Sequence, residues 1–186
     1  MTDKLPDHLG GHVNYTHIDI GSLEFMQKNF GIKSMMDIGC SMGWQIREGL
    51  ALGIDSYGID GDFTLTWDDD IFDRVSLFDF QDGKPDYMDE TFDLGWSVEF
   101  LEHVEEKYMV NYMDLFRRCK YVVCTYAPPG FPGHHHVNCQ PHEYWVDKFA
   151  SYGFEYDEEV TERIRSASTM GKPFIKERGM FYKRND

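Results

Sequence analysis

The stretch Lys33-Ser-Met-Met-Asp-Ile-Gly-Cys-Ser-Met-Gly43 joins a short apolar run to an acid and then to glycines at 39 and 43, and Trp44 to Gly53 continues with helical character. An apolar run of this length that breaks at once on glycine reads as a buried strand turning tightly into a helix. Glycine has no side chain in the way and accepts positive φ, so the backbone amides of such a turn can approach a ligand closely. The spacing is not the G-x-G-x-x-G of a dinucleotide pyrophosphate turn.

The elements around this turn set the fold class. Residues 1 to 17 are polar, with Gly10, Gly11, His12 and His17, and read as an arm; Ile20, Leu23, Met26 and Phe30 then recur at helical spacing up to Gly31. Beyond the turn, Trp44 to Leu52 is a helix stopped by Gly53, and Ser56 to Ile59 is a strand ending in Asp60, Gly61 and Asp62. Further strands are expected at Val75 to Phe80, Phe92 to Val98 and Tyr121 to Tyr126. A helix carrying Met109, Tyr112, Met113 and Phe116 falls between the last two. Pro141 suits the first turn of a helix bearing Tyr144, Trp145 and Phe149. The tail, Phe154 to Ile164 and Phe174 to Tyr182, reads as two strands joined by a turn. Alternating strands and helices build an α/β fold: a Rossmann-like, mostly parallel seven-stranded sheet sandwiched by helices, with a C-terminal antiparallel hairpin. Residues 1–32 are then an arm and helix packed on a core domain of residues 33–186. Only the arm and the glycine- and histidine-rich loop from Pro128 to Gln140 remain to cover a pocket.

Charge narrows the partners. A formal net charge of −15 repels phosphate backbones unless the few cations gather in one patch, and no cluster exceeds Arg117, Arg118 and Lys120. Nucleic acid is therefore disfavoured and a small-molecule partner expected. No apolar run approaches the ~20 residues that span a bilayer, and no secretory segment opens the chain. The four cysteines, Cys40, Cys119, Cys124 and Cys139, form no CxxC pair and read as reduced thiols in a cytoplasm.

The acid followed by glycines at Asp37 to Gly43 resembles motif I of the class I S-adenosylmethionine-dependent methyltransferases, with Ser41 in place of the middle glycine. Three further motifs follow in the family's order. Asp60 closes the second strand 23 residues after Asp37, where the family places the acid that takes both ribose hydroxyls. Asp79, in Phe-Asp-Phe, falls where the family contacts the adenine amino group, and Ser97 to Glu99 matches its substrate-facing edge. The resemblance implies S-adenosylmethionine as cofactor, S-adenosylhomocysteine as product, and a cofactor site drawn from Asp37, Gly39, Cys40, Ser41, Gly43, Asp60, Gly61, Asp79, Phe80 and Ser97.

A second constellation pairs Glu99, Glu102 and His103 with His134, His135 and His136. A helix beginning near Glu99 would put the first three on one face, and the histidine loop returns to the same end of the sheet. Imidazole accepts a proton near neutral pH, so methylation of a small-molecule hydroxyl is expected, with His134, His135, His136 and Glu99 as candidate catalytic residues. A similar Glu-x-x-Glu-His pattern with a distant histidine is the metal site of small-RNA 3′-terminal 2′-O-methyltransferases, but Glu-His also follows the fourth strand in metal-free methyltransferases. No metal is expected; Glu99, Glu102, His103 and His136 are the ligands one would use. Metal-assisted RNA-end methylation and a cofactor-binding domain without turnover are the alternatives.

Overall fold

The computed structural model describes residues 4–11, 15–86 and 90–185, so His12 of the arm lies outside the described residues. Strand β1 (Ser34–Ile38) runs through the middle of a seven-stranded sheet ordered β3-β2-β1-β4-β5-β7-β6. The strands β2 (Asp55–Asp60), β3 (Val75–Leu77), β4 (Phe92–Ser97) and β5 (Cys119–Cys124) are parallel to it, and β7 (Met180–Arg184) runs antiparallel between β5 and β6 (Phe154–Tyr156). Successive strand side chains face opposite ways, and the sheet accordingly separates two apolar layers. Met36 and Ile38 pack against Tyr112 and Phe116 of α3 (Met109–Phe116) and Trp145 and Phe149 of α4 (His142–Ser151). Met35 packs with Leu23 and Met26 of α1 (Ile20–Phe30), Ile164 of α5 (Glu158–Ala167) and Ile175 of α6 (Phe174–Arg178). Each fully buried side chain of this size contributes roughly 1.5–3 kcal/mol.

Helix α1 starts where the Asp19 carboxylate accepts the Ser22 N–H at 3.0 Å and stops at Gly31 in the left-handed conformation. Helix α2 (Trp44–Ala51) follows the glycine turn, which Ile59 O holds against β2 by accepting the N–H groups of Gly39 and Cys40. Strand order reverses between β1 and β4, and a crevice opens there at the carboxyl ends of the strands.

Several boundaries differ from the sequence expectation. Strand β3 ends at Leu77 rather than Phe80; the Phe78 N–H still donates to Asp60 O at 2.8 Å, and Asp79 and Phe80 leave the ladder. No helix begins at Glu99: that residue takes φ 53°, and two separate 3₁₀ turns, Leu101–His103 and Glu106–Tyr108, precede α3. The tail holds the expected antiparallel pair, but β6 spans three residues and two helices, α5 and α6, connect it to β7 in place of a tight hairpin turn. The Asp157 carboxylate caps α5 by accepting the Val160 N–H at 2.9 Å. Pro141 stands just before α4 rather than in its first turn. No helix among the described residues is long and apolar enough to cross a membrane, and all four cysteines are free.

Candidate active site

Above the reversal between β1 and β4 lies a cavity of about 490 Å³, and its walls come from four strand ends, the arm and the histidine loop. Asp37, Gly39, Ser41, Asp60, Gly61, Asp79 and Phe80 line one half. The Asp37 carboxyl is 3% exposed, and burial, then the nearby Asp60 charge, push it well above the usual carboxylate range. Gly39 takes φ 79°, and a Cβ there would meet the Phe100 ring at 2.6 Å, so only glycine fits this wall. Ser41, standing where the motif has its middle glycine, takes φ 49° all the same. Its N–H donates to Asp60 Oδ2 at 2.8 Å, its hydroxyl to Tyr15 O at 3.2 Å, and its carbonyl accepts from Trp67 Nε1 at 2.8 Å. Three bonds thus hold a backbone shape that glycine would adopt freely. Asp60 Oδ1 accepts the Asp62 N–H at 2.9 Å, which fixes the carboxylate at the end of β2.

Cys40, Gly43 and Ser97 do not line the cavity. Cys40 is buried with Ile46 and Ile71 under α2, where burial raises its thiol pKa. Gly43 precedes α2 in the left-handed conformation and faces Ile71. Ser97 is fully buried and donates to Ile38 O at 2.8 Å, tying β4 to β1 beneath the site.

The arm lines the cavity from His8 to Gly11 and from Tyr15 to His17. His8 Nε2 lies 2.6 Å from Asp79 Oδ2, whose partner oxygen accepts the Gln81 N–H at 2.8 Å. One residue on, Leu9 O lies 3.2 Å from His134 Nε2, so the arm bridges β3 and the histidine loop. Neither contact was legible in the sequence, because a polar arm carries no periodicity.

The other half of the cavity is built by the chain after β4 and by the histidine loop. Val137 and Asn138 donate their N–H groups to Glu102 O, both at 3.0 Å, and draw the loop back over the 3₁₀ turn. His134 and His136 line the cavity; His135, at φ 45°, does not, and its Nε2 is buried without a partner among the described residues. His136 Nδ1 lies 3.0 Å from Phe131 O, a pairing that puts the proton on Nδ1 and leaves Nε2 as the basic nitrogen. The His103 ring stands edge-on to His136 at 4.9 Å. Behind both, the Glu102 carboxylate is fully buried, and neither oxygen has a hydrogen-bond partner among the described residues. Burial first, then Glu99, raise Glu102 to about 8; burial first, then His136, lower His103 to about 4. Ligand atoms of Glu102, His103 and His136 lie within 4.8 Å of one another. One carboxylate and two imidazoles are a donor set for a divalent transition metal, and an orphaned buried carboxylate is the group such an ion would satisfy. Glu99, the fourth residue of the sequence pattern, stands outside this group and is engaged by Thr125 and Arg178 instead.

No protein-family model matches the chain, and no curated protein is similar to it in sequence. Solved structures do match. A TehB-like SAM-dependent methyltransferase from Corynebacterium glutamicum superposes with a TM-score of 0.63 at 15% identity, over 89% of this chain and 88% of that one. The methyltransferase domain of bacterial CtHen1-C gives 0.59 at 16% identity, over 90% and 97%. Magnesium protoporphyrin IX methyltransferase ChlM from Synechocystis, solved with bound SAM, gives 0.59 at 14% identity, over 89% and 76%. The chain has the fold of the class I S-adenosylmethionine-dependent methyltransferases.

Proposed function

We propose that the chain is an S-adenosylmethionine-dependent methyltransferase that methylates a hydroxyl of a small molecule in a reducing cytoplasm, with His136 as the base. The observation that carries this reading is the His136 imidazole, fixed through Nδ1 to Phe131 O and lining the same cavity as Asp37, Asp60 and Asp79. When bound, the cofactor supplies an electrophilic methyl group on a sulfonium. Asp60 would hold the ribose hydroxyls, Asp79 the adenine end, and Asp37 with the Gly39 turn the methionine end. His136 Nε2 takes the acceptor's proton as its oxygen attacks in line. The arm lines the cavity and is tied to Asp79 and His134 through His8 and Leu9. Histidine bases contribute 10²–10⁴-fold. With isotopically labelled S-adenosylmethionine and host-cell metabolite extract, mass spectrometry should find an acceptor that gains one methyl group. His136→Gln should cut its methylation by about 10²-fold or more at unchanged S-adenosylhomocysteine affinity; full activity in that variant refutes the base assignment.

One observation favours a second reading. The buried Glu102 carboxylate, without a hydrogen-bond partner among the described residues and beside His103 and His136, suits a divalent metal that would hold the acceptor oxygen and lower its pKa. The pattern resembles that of small-RNA 3′-end 2′-O-methyltransferases, and CtHen1-C is among the similar folds. Against RNA stand the net charge of −15 and a cavity wall without lysine or arginine among the described residues. Activity abolished by chelator and restored by Mn²⁺ or Mg²⁺ would establish the metal; indifference to chelator rejects it.

A further inference from the structure

Glu99 sits on the acceptor half of the cavity in a backbone conformation that non-glycine residues rarely adopt, φ 53°. Strain of this kind persists only where the surroundings hold it, and here they do. The Thr125 hydroxyl accepts the Glu99 N–H at 2.7 Å and donates to Oε1 at 3.2 Å. Arg178, 7% exposed, adds Nη2 to the same Oε1 at 3.3 Å. Its guanidinium lies 4.4 Å from the Phe131 centroid and 5.3 Å from that of Phe174, and both rings line the cavity. Both of these donors fall on Oε1, and Oε2 takes no hydrogen bond from the described residues. A carboxylate held this firmly on one oxygen presents the other to the cavity as an acceptor of hydrogen bonds.

The rest of the wall agrees in sign. Asp60, Asp79 and Glu99 line the cavity beside the buried Asp37 carboxyl, which is pushed toward its neutral form, and no lysine or arginine joins them among the described residues. Arg178 stands behind the aromatic rings and is matched by Glu99 and Glu177. A phosphate or carboxylate on the acceptor would meet like charge with no fixed cation to pair with. Hydroxyl or amine donors would meet Glu99 Oε2, with Phe131 and Phe174 as apolar walls for the carbon skeleton or as ring faces for an ammonium.

We infer that Glu99 is the acceptor-recognition residue and that the site takes a small molecule rich in hydroxyl or amine donors and free of phosphate. This rests on the methyltransferase reading, and the test separates the two. Glucosamine and glucosamine 6-phosphate, which differ only in the phosphate, are titrated by ligand-observed NMR into the full chain with and without S-adenosylhomocysteine. Glucosamine should bind at least tenfold more tightly than its phosphate. Glu99→Gln should weaken glucosamine at least tenfold and leave S-adenosylhomocysteine affinity unchanged. Glu99→Asp keeps the charge but withdraws it by one carbon, and should show the same loss if Glu99→Gln does not fold. Equal or tighter binding of the phosphate, no binding of glucosamine, or unchanged glucosamine affinity in both variants overturns the inference. Failure of S-adenosylhomocysteine alone to bind, with the glucosamine preference intact, overturns the cofactor reading instead.

Discussion

Replacing Glu102 with glutamine should remove a pH dependence built into the active site. The wild-type carboxyl titrates at 4.5 without its environment and at about 8 in the fold, because burial and then Glu99 disfavour its charge. Between those values the folded chain holds a proton that the unfolded chain has lost. Stability therefore falls as pH rises from 4.5 through 8, by up to about 5 kcal/mol at ~1.36 kcal/mol per pH unit. His103 acts in the opposite sense. Its folded pKa of about 4 lies below the ordinary 6.5, so the unfolded chain binds more protons between them and stability rises with pH over that range. The two slopes oppose one another from 4.5 to 6.5, and the net loss from this pair concentrates between 6.5 and 8, at about 2 kcal/mol. Glutamine copies the protonated acid and removes the falling slope, while His103, Asp37 and Glu99 remain in both proteins and largely cancel in the difference. Urea denaturation from pH 5 to pH 9 in EDTA measures that difference directly. Glu102→Gln should be close to wild type at pH 5 and more stable by several kcal/mol at pH 8.5. A difference that stays flat across the series refutes the raised Glu102 pKa. Saturating Mn²⁺ offers a further contrast: a metal held by Glu102, His103 and His136 would favour the ionised carboxylate and make wild type the more stable protein at high pH.

The remaining expectations concern single contacts. Ser97→Ala removes the hydroxyl that donates to Ile38 O and should cost about 1 kcal/mol in chemical denaturation, with S-adenosylhomocysteine affinity unchanged. Asp60→Ala should instead weaken S-adenosylhomocysteine by about tenfold or more in calorimetry, and unchanged affinity would strike Asp60 from the ribose end. Asp19→Ala should cost about 2–4 kcal/mol, because that fully buried carboxylate caps α1 through Ser22 N and Ser22 Oγ and also holds Ser168 Oγ and Thr169 N beyond α5. A loss under 1 kcal/mol in urea would show that these contacts are replaced by water.

Elements with a strong local signal were legible in the sequence, and those decided by distant contacts were not. Helix α1 carries both its periodicity and its Gly31 stop, and the strand-to-helix turn carries an acid and two glycines. Phe154, Tyr156, Val160, Thr161 and Ile164 favour extended chain, yet only Phe154–Tyr156 is strand and α5 follows it. Asp157 followed by Glu158 and Glu159 is nonetheless a helix start, and Val160, Thr161 and Ile164 are its buried stripe. Within the site, Asp37 and Asp60 reach the cavity at the ends of β1 and β2, where strand order brings them, and Asp79 reaches it two residues beyond β3. Cys40, Gly43 and Ser97 belong to the same motifs but face inward, a distinction set by strand alternation and by the path of the turn. Arg178 was invisible because its role depends on α6 delivering it to Glu99, 79 residues away. The contact between His8 and Asp79, across 71 residues, is the same kind of case.

Isothermal titration of the full chain with S-adenosylmethionine and S-adenosylhomocysteine tests the central claim most directly. Saturable one-to-one binding of both ligands, weakened by Asp60→Ala, is the predicted result. Absence of heat at millimolar ligand would contradict it, leaving a methyltransferase fold whose cavity serves another purpose.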